Sequence, residues 1–130
     1  MSALPEQVID AWKNKEGPVV FSTVDRSGIP NSIYISCSTL YSNDTIVVAN
    51  NKFSKTLENI QSGSKGSILF ITADGKSYQI KGSIEYYTEG TIFDDMKQWN
   101  PKRDLGFGAA ALKVEEAYTG AKKLLLVASN

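Results

Sequence analysis

Short apolar runs separated by turn residues dominate the chain and predict a mainly β fold. Seven runs rich in β-branched and aromatic residues are predicted strands, at 19–24, 31–40, 45–49, 67–72, 77–87, 109–118 and 123–128. Apolar residues at helical spacing predict three short helices, at 4–14, 54–61 and 90–99. Gly82 lies inside one predicted strand, where a glycine is typical of a bulge or of close approach by another group.

The order of these elements indicates the fold class. Strands and helices do not alternate regularly, so a parallel sheet of βαβ units is not expected. Six or seven strands interrupted by three short helices instead predict an antiparallel β-barrel. The 130 residues contain no internal repeat, low-complexity segment or linker. We therefore expect residues 1–130 to form a single domain with one core.

One stretch, 45–61, joins a buried strand to a short helix through a polar break. Its sequence is TIVVANNKFSKTLENIQ. Ser54 is placed to cap the helix, and Leu57 and Ile60 are its apolar positions, three residues apart. The helix is expected to have about two turns.

The start of this helix is a candidate anion site. Helix starts leave amides without intrahelical partners, and Lys55 with the hydroxyls of Ser54 and Thr56 would complete a phosphate-sized cradle. Just upstream, Asn50 and Asn51 carry amides suited to the edge of a heteroaromatic ring. The alternative interpretation is an ordinary capped surface helix.

Composition narrows the chemistry. Fourteen basic and fourteen acidic residues give a formal net charge of +0, so no long-range attraction to nucleic acid is expected. The chain has no histidine, which removes Ser–His–Asp catalysis, histidine metal sites and histidine general bases. An enzyme of this composition would rely on an organic cofactor.

The cysteine count and the hydropathy of the chain indicate its redox state and cellular location. Cys37 is the only cysteine, which excludes an internal disulfide, and it is expected to be a small buried apolar side chain. No apolar stretch approaches the roughly 20 residues of a membrane helix, and the N-terminal sequence is too polar for a signal peptide. We expect a soluble cytoplasmic protein without a membrane partner.

The order of the segments resembles the FMN-binding split β-barrel family, which includes the pyridoxamine 5′-phosphate oxidases and small bacterial FMN-binding proteins. An N-terminal helix is followed by VVFSTVDRSGIPN, IVVANNKFSKTLENI, GSILF, YQIKGSIE and AALKVEEAY, so the resemblance spans nearly the whole chain. It implies a split barrel that forms a homodimer, with FMN held between the protomers.

The resemblance also implies the site residues. It assigns the FMN phosphate to the helix start and the flavin ring to two nearby segments. Gln79 would reach cofactor bound mainly by the other subunit, and Phe107 would cover the ring, with Trp99 as an alternative. The implied contacts near the phosphate and ring are Tyr34, Ile35, Ser36, Val48, Ala49, Asn50, Asn51, Lys52, Ser54, Lys55 and Thr56.

Each of these assignments has a plainer alternative. Phe107 could be a core aromatic and Gln79 a surface strand residue. Strand alternation puts Tyr34 and Ser36 on one face and Ile35 on the other, so at least one of the three would contribute backbone only.

The expected function is that of an FMN-binding flavoprotein with a redox role, either an oxidoreductase or an electron carrier, supplied by a nicotinamide or a protein donor. Pyridoxamine phosphate is not the expected substrate, because Asn31-Ser32-Ile33 replaces the family's arginine-rich segment and the Arg-Leu-x-Pro tail is missing from LLLVASN. Some family members use deazaflavin or haem, and the common haem ligation needs histidine. The alternatives are a non-catalytic flavin or nucleotide sensor or store, and a dimeric interaction domain without ligand.

Overall fold

A computed structural model describes residues 3–126 of the chain. Within that span lie three helices, α1 (Glu6–Lys13), α2 (Lys55–Gln61) and α3 (Thr91–Trp99). The strands are β1 (Val19–Val24), β2 (Pro30–Ile35), β3 (Ser38–Ser42), β4 (Thr45–Asn50), β5 (Gly66–Ile71), β6 (Ser77–Tyr87), β7 (Gly108–Thr119) and β8 (Lys122–Leu126).

The strands form one antiparallel sheet. Seven of them follow the order β2-β1-β5-β6-β7-β4-β3, and β8 pairs beside the second half of β7. The end strands β2 and β3 are separated in the chain only by Ser36 and Cys37. So short a link spans roughly 11 Å at most, so the sheet must curl until its two ends come together. The predicted fold class, a mainly β antiparallel split barrel with short helices, is confirmed.

The predicted strand at 31–40 is wrong as one element, because this segment forms both β2 and β3. β2 pairs with β1 and β3 pairs with β4, on opposite ends of the sheet path. Ser36 and Cys37 carry the chain across the split, and a continuous strand could not serve both partners. Of the predicted strand 123–128, residues 123–126 lie in β8, and 127–128 lie outside the described residues.

The core is built on the inner face of the curled sheet. Phe21, Ile68, Ile80 and Leu112 are fully buried there. Helix α1 closes this core with Trp12, whose ring meets Phe70 edge-on at a centroid distance of 5.3 Å. Burying side chains of this size contributes roughly 1.5–3 kcal/mol each relative to exposure.

A second apolar cluster lies on the outer face, where α3 packs over β4 and β7. Its centre is Met96, fully buried against Val47, Ala49 and Ala111. Because the barrel interior covers the other face, every residue of β4 is buried. A strand covered on both faces is expected to read as a continuous apolar run, as this one does.

Two glycines allow close packing around β6 and β7. The ladder between these strands shifts register at Lys81 and Gly82, and a Cβ at Gly82 would lie 1.9 Å from the Lys113 carbonyl oxygen. The predicted bulge at Gly82 is therefore confirmed. A Cβ at Gly108 would lie 2.3 Å from the Tyr86 ring, so any larger residue at this position would displace that ring.

Candidate functional site

An open pocket of about 320 Å³ lies beside the split, between the end of β2 and the segment that follows β4. Its volume falls at the low end of the range for small-molecule sites. Chain segments from both sides of the split meet in its wall: Ile33, Tyr34, Ile35, Ser36, Cys37, Ala49, Asn51, Lys52 and Phe53.

The pocket brings together residues from both segments that were expected to contact a flavin ring. Those predicted residues are Tyr34, Ile35, Ser36, Ala49, Asn51 and Lys52. Sequence reasoning missed Ile33, Cys37 and Phe53. The chain crosses the split at Cys37, and no glycine or proline marks that crossing, so only the adjacency of Ile33 and Phe53 to predicted residues could have signalled them.

The start of α2 lies against the same strand that forms the pocket wall. Thr56 is buried, and its hydroxyl accepts a hydrogen bond from Asn31 Nδ2 at 3.1 Å, two residues before Ile33. Ser54 occupies the N-cap position, but its hydroxyl makes no capping hydrogen bond, so the predicted side-chain cap is wrong. Its backbone, with φ −131° and ψ −87°, lies outside the extended region usual for a capping residue. Ser54 is exposed beside the pocket residue Phe53.

Lys55 is half exposed between two carboxylates. Its Nζ lies 3.5 Å from Glu58 Oε1 and 3.8 Å from Asp25 Oδ2. Both distances exceed the roughly 2.7–2.9 Å of a strong charged hydrogen bond, so these pairs leave the ammonium donor capacity for a closer anion. The pKa of Asp25 is lowered chiefly by the backbone amide of Ile29, and Lys55 lowers it further.

Helix α2 buries polar side chains that its apolar pattern did not predict. Asn59 is buried and donates from Nδ2 to Thr23 Oγ1 at 3.0 Å. Ile60 is buried as expected, but Leu57 is only half buried. Buried polar groups need partners, so these side-chain bonds fix how α2 seats on β1 and β2.

The amides of Asn50 and Asn51 are engaged within the protein. Asn50 Nδ2 donates to the Tyr86 hydroxyl at 2.7 Å, and its Oδ1 accepts from the Phe53 amide at 2.7 Å. Asn51 exchanges two hydrogen bonds with the side chain of Asn100, at 3.0 and 2.8 Å. Neither side chain therefore points a free amide into the pocket in this conformation.

Cys37 lines a second pocket as well as the first. This second pocket, of about 290 Å³, includes Trp99 and Pro101. The Cys37 Sγ donates to Asp104 Oδ2 at 3.6 Å. Burial raises the pKa of the thiol, and the neighbouring Asp104 carboxylate raises it further. Cys37 is half buried and in a polar contact, so the prediction of a small buried apolar side chain is wrong.

Three other predicted residues lie away from the pocket wall. Val48 is fully buried in the barrel and pairs with strands on both sides. Gln79 lies on the outer face of β6 and donates to Ser67 Oγ at 3.3 Å. Phe107 is 57% exposed, and its amide donates to the Asn50 carbonyl at 2.8 Å. The flavin roles of these residues stay predictions.

The sequence profile of the pyridoxamine 5′-phosphate oxidase family matches residues 5–121, most of the chain and all of the elements that form the pocket. The chain belongs to this family. The resemblance inferred from the order of the segments is thereby confirmed. An uncharacterized protein of Methanocaldococcus jannaschii is 30% identical over 112 residues, which cover 82% of this chain and 75% of that relative.

Two solved structures share the fold of this family member at low sequence identity. Group A Streptococcus HupZ is 23% identical, with a TM-score of 0.80 over 97% of this chain and 99% of HupZ. An FMN-binding protein of Syntrophomonas wolfei is 22% identical, with a TM-score of 0.74 over 85% of this chain and 81% of that protein.

Among residues 3–126, no helix has the length and apolar character needed to cross a bilayer. The predicted cytoplasmic location stays a prediction.

Proposed function

We propose that the chain is an FMN-binding flavoprotein that forms a homodimer and transfers electrons. The observation that carries the proposal is the pocket itself. It joins the segment after Pro30 to the segment before α2, the two segments from which the family resemblance implies ring contacts. Two comparisons support FMN as the cofactor: this chain belongs to the pyridoxamine 5′-phosphate oxidase family, and it shares its fold with an FMN-binding protein.

The ring would lie against the backbone and side chains of the pocket. Ile33, Ile35 and Phe53 supply apolar wall, while Ser36 and Lys52 are exposed polar groups at the same opening. This mixture suits a flat heteroaromatic ring with a polar edge. When bound, FMN would supply the electron or hydride chemistry, and the protein would orient the ring and restrict water around it.

The phosphate would lie at the start of α2, one residue beyond the pocket. Ser54 and Lys55 are exposed there, and the first amides of the helix lack intrahelical acceptors. Thr56 is buried and its hydroxyl is bonded to Asn31, so its contribution would come through its backbone amide. Lys55 supplies the positive charge, at the expense of its weak surface pairs with Asp25 and Glu58.

A second copy would cover the open side of the pocket. Tyr34, 78% exposed at the pocket, belongs to an outward row that continues through Val20 and Leu69 to Gln79. Strand spacing puts Gln79 roughly 14 Å of sheet away from Tyr34. We therefore expect Gln79 to reach the ring from the partner copy rather than within its own protomer.

The phosphate assignment is tested by comparing FMN with riboflavin, which lacks the phosphate. Dissociation constants of both ligands are measured by flavin fluorescence for the wild type, Lys55→Ala and the control Lys13→Ala, an exposed lysine on α1. Removing the Lys55 charge should weaken FMN about tenfold, or about 1.4 kcal/mol, and should change riboflavin binding less than about twofold. Lys13→Ala should change neither.

Two results would contradict this proposal. Equal weakening of FMN and riboflavin by Lys55→Ala would place the phosphate elsewhere. Wild-type protein that takes up neither ligand would remove the flavin function altogether. The redox role is tested separately, by steady-state turnover of the FMN-loaded protein with NADH or NADPH and an artificial acceptor. Full flavin occupancy without turnover would favour a flavin store or sensor.

A further inference from the structure

The loop 101–107, which joins α3 to β7, is fastened to the pocket residue Asn51. The Asn51 Oδ1 accepts from Asn100 Nδ2 at 2.8 Å and from the Gly106 amide at 2.9 Å. In return, Asn51 Nδ2 donates to Asn100 Oδ1 at 3.0 Å. Asn100 is only 5% exposed, so these bonds are shielded from water. We call this set of three bonds the amide latch.

Other bonds reinforce the same attachment. The Phe107 amide donates to the Asn50 carbonyl at 2.8 Å, and the Cys37 thiol donates to Asp104 at 3.6 Å. Lys97 Nζ donates to the Leu105 carbonyl at 3.2 Å. The loop is thus tied to residues from both sides of the pocket wall, although its own residues do not line that pocket.

We infer that Asn51 and Asn100 are positioning residues, whose latch fixes the pocket wall and sets where Leu105 and Phe107 stand beside it. This inference rests on the proposed flavin function. The latch orients Asn51, which lines the pocket, and holds Gly106 between two apolar side chains that are 64% and 57% exposed.

The donors and acceptors of the amide latch predict different effects for the same substitution, Asn to Asp, at its two side chains. In Asn100→Asp, a carboxylate oxygen replaces Nδ2, which lies 2.8 Å from Asn51 Oδ1. Two acceptors then face each other, and their repulsion displaces the oxygen that accepts from the Gly106 amide. In Asn51→Asp, the two carboxylate oxygens can accept from the Gly106 amide and from a rotated Asn100 side chain. Both variants place one negative charge in the same pair, and they differ in which side of the pair carries the oxygen that accepts from the Gly106 amide.

The experiment measures hydrogen exchange at the Gly106 and Phe107 amides, together with the FMN dissociation constant and the visible circular dichroism of bound FMN. Asn100→Asp should speed Gly106 exchange by at least about tenfold, and Asn51→Asp should do so by much less. Asn100→Asp should also weaken FMN by roughly threefold to tenfold and change the dichroism of the bound flavin. Gln98→Glu, the same chemical change at an exposed site on α3, should alter none of these.

Each other outcome overturns a defined part of the inference. Unchanged Gly106 exchange in Asn100→Asp would show that the latch does not hold the loop. Faster exchange with unchanged FMN binding and dichroism would reduce the latch to a structural contact. Wild-type protein without FMN uptake would instead remove the proposed function and the positioning role with it, while the exchange rates would still report whether the latch exists.

Discussion

Two regions on the outer surface of the same sheet differ in how they are covered. Over β4 and β7, α3 buries Met96 against small and branched side chains, and that surface is part of the core. Over β2 and β5, the outward residues Tyr34, Leu69 and Ile71 are 78%, 40% and 48% exposed. In both regions the side chains of each strand point alternately to the inner and outer faces of the sheet. The two regions therefore differ only in whether a helix packs on the outer face.

This contrast links the pocket to the proposed assembly. The covered region gives β4 a rigid setting, and the pocket opens where β4 ends. The uncovered region begins at Tyr34, which lines that same pocket, and runs along the row to Leu69. An exposed apolar surface continuous with an open ligand pocket is the arrangement expected when a second copy completes the site.

The largest effect is expected in the covered region. Met96→Ala should lower the free energy of unfolding by about 2–4 kcal/mol, because it leaves a cavity between α3 and the sheet. Urea denaturation followed by circular dichroism measures the change. Gln98→Ala, on the exposed face of the same helix, should change it by less than about 0.5 kcal/mol. A Met96→Ala loss no larger than the control would mean that α3 is loosely packed.

A smaller effect on stability, but a large effect on association, is expected in the uncovered region. Leu69→Arg should raise the dimer dissociation constant at least about tenfold, because it places a charge in the proposed apolar contact. Sedimentation equilibrium measures the constant. Gln98→Arg puts the same charge on the outside of the covered region and should leave association unchanged. Equal dissociation constants for the two variants would place the interface elsewhere.

The boundary between the regions can be probed through Cys37. Burial and the Asp104 carboxylate both raise the pKa of its thiol, so less thiolate than in a free cysteine is present at pH 8. Asp104→Asn removes the carboxylate, lowers that pKa and should speed iodoacetamide alkylation a few-fold at pH 8. The rate of each variant should rise with pH until the thiol is ionised. Bound FMN should slow the alkylation of Cys37. An alkylation rate that is the same with and without FMN would argue against the pocket as the flavin site.

Much of the fold could be predicted because local signals determine it. The strands Val19–Val24 and Ser77–Tyr87 were predicted to the residue, since turn residues flank each of them. The break at Ser36 and Cys37 could not be predicted, because it exists only to carry the chain between opposite ends of a curled sheet. The buried polar contacts that attach α2 to the sheet were missed for a similar reason, because Asn59 bonds to Thr23, 36 residues away.

The candidate site also has a part that could be predicted from the sequence and a part that could not. The resemblance pointed to Tyr34, Ser36 and Asn51, which do meet in one pocket. It did not reveal that Asn51 is bonded to Asn100, 49 residues later, or that Cys37 contacts Asp104, 67 residues later. Such pairs depend on the loop that follows α3, and no local pattern in either segment specifies them.

The shared flavin site is tested most directly by sedimentation velocity of the protein mixed with substoichiometric FMN, observed at a wavelength that only flavin absorbs. If the pocket holds FMN between two copies, the flavin absorbance should sediment with a species of two protomers, and Leu69→Arg should reduce that species. Flavin that stays unbound, or that sediments with a single protomer, would contradict the claim that the pocket beside the split holds FMN between two copies of the chain.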